Sequence, residues 1–325
     1  MRMTVVVSDL VFFYTPVLVL MKMLKLNQRI VNSMLILILC LPGFILVDHG
    51  HFQYNCVMLG LVLATYISAT TDHEYLTCVF FSIALSTKQM SMYYALGFFG
   101  ILFGKALFTS HLLHPTKYKF QPSRTHLIWF GSSVFSYAWV VVITTVMLWL
   151  PWISYNHPSL VLEPLTAIFP VHRGLYQLKV ANFWCVSDVL MKWEAGYSRS
   201  FLLIMAVVLN LVFCAPSVLA CIFAPRSRIY LQAMLNISLA FFFFSYHVHE
   251  KSILVPLLFV CLNWKYLGGM ALDFILLSSF SMYHLLRLDG QTLQYFVLNI
   301  AYWYFGGMAV ELLRDMKYVQ QARGR

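Results

Sequence analysis

The chain has 325 residues, of which 61% are hydrophobic and only 10% carry a charge. Soluble domains carry about 25% charged residues, so this composition excludes an ordinary soluble protein and indicates one embedded in a membrane. The formal net charge of +10 does not indicate nucleic acid as a partner, because the Lys and Arg residues lie in short connections between apolar runs, where they set membrane topology.

Apolar runs follow one another along the whole sequence, and each is a candidate membrane span. In chain order they are Val5–Leu20, Val31–Val47, Cys56–Ala69, Tyr75–Thr87, Met90–Leu113, Leu127–Leu150, Phe201–Phe223, Ile229–Tyr246, Ser252–Trp264, Leu267–Leu286 and Leu293–Leu313. The third and fourth are shorter than the roughly 20 residues that a bilayer needs, so we expect them to be re-entrant or embedded in protein. The pattern predicts an all-α, polytopic helical membrane protein with about ten or eleven spans. We expect one integral membrane domain over residues 1–325.

The longest connection between spans covers residues 151–199. Proline at positions 151, 158, 164 and 170 excludes one continuous helix there. Aromatic residues within it predict short helices resting at the membrane interface.

Strict alternation of spans and the positive-inside rule orient the chain. The basic clusters, including Lys105 and Arg226, all fall on one side, which is therefore cytosolic. The opposite side receives four polar segments: residues 48–55, the Lys88–Gln89 turn, the 151–199 connection and residues 246–251. This agreement predicts a single assembled site on the non-cytosolic face.

The first polar segment, Asp48–Asn55, separates two apolar runs. One interpretation is a turn between helices, which needs only Gly, Asn or Asp. The segment also contains two His, a Gln and a Tyr, which favours a water-facing rim or a wet cavity.

The second and third segments each have two interpretations. Lys88 is either a lysine at a helix end whose charge reaches water or a cation facing a lipid phosphate. In the third segment, Arg173 is followed by Gly174 and could offer a guanidinium fork to a diphosphate. Phe183 and Trp184 belong either to an interfacial helix or to a surface that stacks on sugar or polyprenyl groups.

The fourth segment places four titratable groups within the five residues His247–Lys251. A Glu–Lys pair near the membrane rim is often only a neutralised anchor, but this density at the end of a span favours a site. The two His stand two residues apart and do not share a helix face, so they do not favour zinc.

The residues themselves indicate no metal and no cofactor. None of the seven cysteines forms a CxxC pair, and five of them, in or beside apolar runs, are expected to be inert core residues. The sequence shows no nucleophile–base arrangement, phosphate-binding glycine loop or Asp-x-Asp motif. Transport, lipid-linked transfer and scaffolding therefore remain open at this level.

The polar segments resemble motifs of the eukaryotic dolichyl-phosphate-glucose-dependent α-1,3-glucosyltransferases, endoplasmic reticulum enzymes of the GT-C fold class. The matching stretches are Asp48–Asn55, Lys88–Met90, Phe169–Pro170 with Arg173–Leu175, Val180–Cys185 and Val248–Leu254. Gly50 between two His and the unbroken Val180–Cys185 resemble the first-glucose enzyme rather than its second-glucose sister.

The resemblance implies transfer of glucose from dolichyl phosphate glucose to the nine-mannose dolichyl-diphosphate-linked oligosaccharide, in the lumen and without a metal. Such a reaction needs a carboxylate base for the acceptor hydroxyl and cations for the departing phosphate. The implied partners are this donor, the lipid-linked acceptor and membrane lipid. The residues expected to bind donor or acceptor are His49, His51, Gln53, Tyr54, Lys88, Gln89, Arg173, Trp184, His249, Glu250 and Lys251.

Two departures from the family pattern bear on catalysis. The chain begins after the family's first spans and first lumenal loop, whose acidic motif is thought to supply the base, so it is expected to be N-terminally truncated. The catalytic residue is thus unassigned, with Asp48 as a reserve candidate. Gln177 and Leu178 replace an acidic pair. The alternative function is a catalytically incomplete homologue that binds dolichol-linked ligands or a partner.

Overall fold

A computed structural model of the chain describes residues 2–24, 27–113, 120, 122–155 and 180–323. In this part of the chain the regular structure is helical, apart from an isolated bridge between Leu113 and Phe120. The all-α prediction is therefore confirmed. The described residues fall into two compact units, unit 1 within Met1–Gly60, Lys179–Ala181 and Glu250–Arg325 and unit 2 within Leu61–Leu178 and Asn182–His249. The expected single membrane domain stays a prediction.

Six helices in the described ranges are long and apolar enough to cross a membrane. They are Met3–Met23, Gln28–Gly50, Gln89–Thr109, Arg124–Pro151, Arg199–Phe223 and Ser227–Phe244. Asn55–Thr70, Glu74–Thr87 and Gly269–Ser281 are apolar but shorter. The polytopic membrane class is confirmed, whereas the count of ten or eleven spans is not.

One predicted span that is absent from these six helices is buried within the protein. The predicted span Ser252–Trp264 forms only a nine-residue helix, Leu254–Leu262, and every one of its residues is buried. A helix that is apolar on all sides belongs either in a protein core or in lipid, and this one lies in the core of unit 1. Arg124–Pro151 is the opposite case, because none of its most apolar 18-residue window is buried within the protein.

Unit 1 is built mostly from short helical pieces, two of which have π geometry. They are Arg2–Asp9, Leu10–Tyr14 (π), Thr15–Met23, Gln28–Leu39, Pro42–Phe44, Ile45–Gly50 (π), the start of Asn55–Thr70, Glu250–Ile253 (3₁₀), Leu254–Leu262, Trp264–Leu267, Gly269–Ser281, Tyr283–Leu288 and Thr292–Arg323. The predicted span Leu267–Leu286 is thus divided between two helices, with Met282 as the end of the first. Short π segments inside α-helices are frequent at functional sites.

A glycine permits the closest helix contact in unit 1. Gly60 faces the π segment Leu10–Tyr14, and a Cβ atom there would lie 2.5 Å from the carbonyl carbon of Phe12 and 2.8 Å from Cα of Phe13. Those obstacles are backbone atoms, which no rotamer change can remove. The side chain of residue 60 must therefore be a hydrogen atom.

Unit 2 consists of the rest of Asn55–Thr70 and eight further helices among the described residues. These are Glu74–Thr87, Gln89–Tyr94 (3₁₀), Ala95–Thr109, Arg124–Tyr155, Phe183–Met191, Trp193–Gly196, Arg199–Phe223 and Ser227–Phe244. Polar residues begin two of them: the Asn182 side chain accepts from the Cys185 amide at 2.9 Å and Ser198 accepts from the Phe201 amide, as N-cap residues do.

Proline 151 does not end its helix, which continues to Tyr155. The predicted boundary at Leu150 was therefore too early. Within 180–199 the structure has the two short helices Phe183–Met191 and Trp193–Gly196, and their expected position at the membrane interface stays a prediction.

Candidate active site

The first polar segment folds as a π-helical turn followed by the four non-helical residues 51–54. The turn Ile45–Gly50 ends with the amide of His51 donating to the carbonyl of Leu46, and Gln53 donates its amide to the carbonyl of Asp48. Phe52 takes a positive φ of 57°, and the next helix begins at Asn55. This sharp reversal points the polar side chains of the segment in several directions.

Asp48 anchors the reversal. Its carboxylate is fully buried and accepts from Asn55 Nδ2 at 2.6 Å and from the Cys56 amide at 2.5 Å. A carboxylate on the first amides of a helix satisfies donors that have no partner within the helix and interacts favourably with the helix dipole. Both oxygens are engaged, which favours an anchoring role, and the catalytic role of Asp48 stays a prediction.

Asp9 is a site residue that the sequence reasoning missed. It lies on the first helix, 1% exposed, and its Oδ2 is 3.0 Å from Nε2 of His49. The signal was available, because a carboxylate inside an apolar run of membrane-spanning length is by default a candidate functional residue.

Among the described residues, Asp9, Asp48 and Cys56 form a group whose side chains could together hold a metal ion. Their ligand atoms lie within 4.8 Å of one another. The two hydrogen bonds on Asp48 already occupy this carboxylate, so the group is partly satisfied by protein donors. We assign no metal to it.

His51 lies between two charged side chains from distant parts of the chain. Its Nδ1 is 2.6 Å from Oδ2 of Asp289, and its Nε2 is 3.2 Å from Nζ of Lys251. Asp289 stands between the helices Tyr283–Leu288 and Thr292–Arg323. The contact between His51 and Lys251 brings the first and fourth polar segments together within unit 1.

Lys251 is half-buried beside acidic groups. Burial lowers the pKa of its ammonium below 10.5, and the neighbouring Glu250 and Asp289 act in the opposite direction. Because the folded pKa is the lower one, the unfolded chain binds more protons between that pKa and 10.5, and the stability of the fold rises with pH through this window. At neutral pH, burying the charged ammonium therefore costs stability, a pattern common at functional sites.

Gly50 and Gln291 form one wall of this group. A Cβ on residue 50 would lie 2.6 Å from both Cδ and Nε2 of Gln291. The Gln291 side chain is buried, and its Nε2 has no hydrogen-bond partner among the described residues. The glycine between the two histidines thus allows an amide to lie directly against the turn.

The other predicted residues of the first and fourth segments are neighbours of His51 and Lys251 in sequence. Tyr54 is exposed and its hydroxyl lies 3.0 Å from that of Thr4. Gln53 is half-buried. Glu250 is buried at the start of its 3₁₀ turn, whereas His249 is the last residue of unit 2 and half-buried there.

Three predicted residues belong to unit 2. Lys88 and Gln89 belong to unit 2, at the junction of an α-helix with a 3₁₀ helix, where Lys88 has an extended backbone. Trp184 is completely buried, donates its indole N–H to the carbonyl of Phe244 at 3.0 Å and packs edge-on against Trp193. A ring with no exposed face cannot stack on a ligand in this conformation, so the structure gives Trp184 a packing role. Arg173 lies outside the described residues.

Unit 2 contains a second polar group, centred on Lys105. This buried ammonium lies 2.5 Å from Asp72 and 3.3 Å from Glu74. The three residues line a cavity of about 650 Å³ together with Tyr230 and several hydroxyl side chains. The ion pairs join the loop before Glu74–Thr87 to the helix Ala95–Thr109, which is a structural function.

The chain is similar to known membrane glycosyltransferases over nearly its full length. Residues 1–323 match the model of the "ALG6, ALG8 glycosyltransferase family". A probable dolichyl pyrophosphate Man9GlcNAc2 alpha-1,3-glucosyltransferase from Dictyostelium discoideum is 36% identical over 315 residues, which cover 94% of this chain and 57% of the relative.

Relatives from other organisms give similar values. Dolichyl pyrophosphate Man9GlcNAc2 alpha-1,3-glucosyltransferase from Pongo abelii is 34% identical, over 93% of this chain and 57% of its own length. The protein of that name from Saccharomyces cerevisiae is 30% identical, over 95% of this chain and 56% of its own length. The chain thus spans little more than half the length of the curated relatives it matches.

Proposed function

This chain belongs to the ALG6, ALG8 glycosyltransferase family, and on that premise we propose that it transfers glucose from dolichyl phosphate glucose to the nine-mannose dolichyl-diphosphate-linked oligosaccharide. The new bond is an α-1,3 linkage made during assembly of the N-glycan precursor. The names of the relatives supply the acceptor and the linkage. The donor comes from the resemblance of the polar motifs.

The observation that carries this proposal is the contact of Lys251 with His51 in unit 1. These residues belong to two motifs that lie 200 positions apart in the chain. A cation held beside buried polar groups at the end of an apolar helix suits a lipid-linked phosphate, whose head group lies at the membrane surface.

The chemistry divides between the departing phosphate and the acceptor hydroxyl. As the glycosidic bond to phosphate breaks, negative charge develops on the phosphate oxygens, and the Lys251 ammonium stabilises it. The acceptor hydroxyl must lose a proton to a carboxylate. We assign that base to no described residue, since both oxygens of Asp48 accept hydrogen bonds from the protein.

The proposed location is the endoplasmic reticulum membrane, with the group around Lys251 facing the lumen. Alternation of the predicted spans and the distribution of Lys and Arg support this orientation. Asp289 follows the predicted span Leu267–Leu286 on the same non-cytosolic side, which agrees with its contact to His51.

Transfer by the chain in microsomes that lack an endogenous first-glucose enzyme tests the proposal. With radiolabelled dolichyl phosphate glucose, we expect one glucose on the nine-mannose acceptor and none on an acceptor that already carries it. Lys251→Ala should lower turnover about 10²-fold, as removal of a single charge-stabilising donor does. Lys265→Ala is the matched control, since Lys265 is an exposed lysine of the same unit on the predicted cytosolic side, and it should retain full turnover.

Two results would overturn the proposal. Absence of transfer by the unaltered chain, with binding of dolichyl phosphate retained, would establish the alternative of a catalytically incomplete homologue. Equal losses of turnover in the Lys251 and Lys265 variants would show that the lysine at the His51 contact has no special role.

A further inference from the structure

Three side chains of unit 1 form a continuous hydrogen-bonded row, Asp289–His51–Lys251. The carboxylate lies 2.6 Å from Nδ1 of the imidazole, and the ammonium lies 3.2 Å from Nε2. The row crosses three separate parts of the chain, because His51 is 238 residues from Asp289 and 200 from Lys251. Asp289 belongs to none of the motifs that indicated the site.

We propose that Asp289 is a positioning residue for Lys251, holding His51 in the orientation and tautomer that accept a hydrogen bond from the ammonium and so directing that ammonium at the phosphate of a polyprenyl phosphate ligand. This inference rests on the proposed function for the nature of the ligand. The inference goes beyond the proposed function by assigning a role to Asp289 and by determining which atoms of the row carry protons.

Donor and acceptor capacity fixes this protonation pattern. An ionised carboxylate only accepts hydrogen bonds, and an ammonium only donates them. Nδ1 of His51 must therefore carry the proton that points to Asp289, and Nε2 must present its lone pair to Lys251. A neutral imidazole satisfies both contacts, and the carboxylate on one nitrogen determines the state of the other.

The alternative tautomer would disrupt the row. With the proton on Nε2, an N–H would face the N–H donors of Lys251, and Nδ1 would present a lone pair to the Asp289 carboxylate. Both contacts would be repulsive. Asp289 therefore selects the only neutral form of His51 that can hold Lys251 in its place.

The charges that face Lys251 strengthen this role. Glu250 on its own 3₁₀ turn and Asp289 from the helix junction both favour the charged ammonium, against the effect of burial. His51 contributes its lone pair. Loss of the Asp289 carboxylate would thus remove both the support for His51 and one of the two neighbouring negative charges.

Direct binding of a phosphate probe tests the inference without requiring glucosyl transfer. Farnesyl phosphate is titrated into the detergent-solubilised chain across a pH series, with farnesol as the uncharged reference. For Asp289→Ala we expect about a tenfold or greater loss of farnesyl phosphate affinity at neutral pH, in the range for residues that orient a binding side chain. Farnesol binding should not change.

Two further variants separate positioning from general damage. Asp289→Asn keeps an oxygen that can accept from Nδ1, so it should retain neutral-pH affinity within about threefold. Its decline in affinity at alkaline pH should begin at lower pH than in the unaltered chain, because Lys251 has lost a negative neighbour. Leu288→Ala, at an exposed position of the same junction, should leave both properties unchanged.

Several outcomes would overturn the inference. The first is that Asp289→Ala binds farnesyl phosphate as tightly as the unaltered chain. The second is that the Ala and Asn variants lose affinity equally at neutral pH. The third is that the affinity of all variants declines at the same alkaline pH. A chain that binds farnesyl phosphate through this row but transfers no glucose would refute the proposed reaction and leave the role of Asp289 intact.

Discussion

Replacing Gly60 with alanine should destabilise unit 1 although alanine is the better helix former. The new methyl group would lie 2.5 Å from the carbonyl carbon of Phe12 and 2.8 Å from Cα of Phe13. Relief requires the first helix to move away from Asn55–Thr70 by about 1 Å, because protein interiors have no spare volume at such a contact. That movement would also displace Asp9, which precedes the π segment and contacts His49.

The expected loss is about 2 kcal/mol in the free energy of unfolding. Overpacking costs about 1–3 kcal/mol, and the upper end applies here because backbone rather than a flexible side chain is in the way. The gain in helix propensity from glycine to alanine offsets up to ~1 kcal/mol. A net loss of that size corresponds to a decrease of roughly 4–8 °C in Tm for a unit of this size.

Thermal denaturation of the detergent-solubilised chain, followed by size-exclusion chromatography, measures the effect. Gly307→Ala is the matched control, since Gly307 is also helical and in unit 1 but has nothing within 4 Å of its Cβ position. We expect its Tm to be unchanged or slightly raised. A Gly60→Ala protein as stable as the unaltered chain would refute the argument that backbone contact dictates this glycine.

Three other predictions concern the polar groups. Gly50→Ala places a methyl group 2.6 Å from Cδ of Gln291 and should lower the free energy of unfolding by about 1–2 kcal/mol, measured as a decrease in Tm. The double variant with Gln291→Ala should recover most of that stability. A double variant that does not recover it would exclude a clash with this side chain. Lys251→Arg should still bind farnesyl phosphate at alkaline pH values where the unaltered chain no longer binds it, because burial lowers the pKa of the lysine whereas a guanidinium stays charged. If the affinity of both proteins declined at the same alkaline pH, deprotonation of Lys251 would not be the cause of that decline. Lys105→Met should destabilise the fold by about 1–2 kcal/mol, less than the 3–5 kcal/mol for breaking a fully buried pair, because the Asp72 side chain is 84% exposed. Asp72→Asn should change Tm little. A decrease in Tm as large as that of Lys105→Met would contradict the view that the exposed Asp72 contributes little.

The sequence alone was sufficient for the membrane class, the helical fold and the family. Apolar composition and the length of the runs are local properties, and they survive folding unchanged. The motif resemblance was confirmed by the match over residues 1–323. His51 of the first polar segment contacts Lys251 of the fourth within unit 1, and the shared face of the four segments stays a prediction.

Burial, by contrast, could not be read from hydropathy. Leu254–Leu262 and Arg124–Pro151 are both predominantly apolar, yet the first is buried throughout and the most apolar window of the second has no buried residue. Trp184 was expected to offer an aromatic surface, and it is enclosed by its own unit. Whether an apolar residue faces lipid, ligand or protein depends on which other helices pack against it.

The composition of the site was likewise decided partly by the sequence and partly by the fold. The charge and hydrogen-bonding capacity of His51 and Lys251 are properties of those residues, so the sequence determined that they were candidates for binding an anion. Asp9 and Asp289 have the same chemistry as other carboxylates in the chain, and only proximity to His49 and His51 gives them a role. Proximity between residues more than 200 positions apart depends on chain packing, which is why the tertiary structure alone could place Asp289 in the row with Lys251.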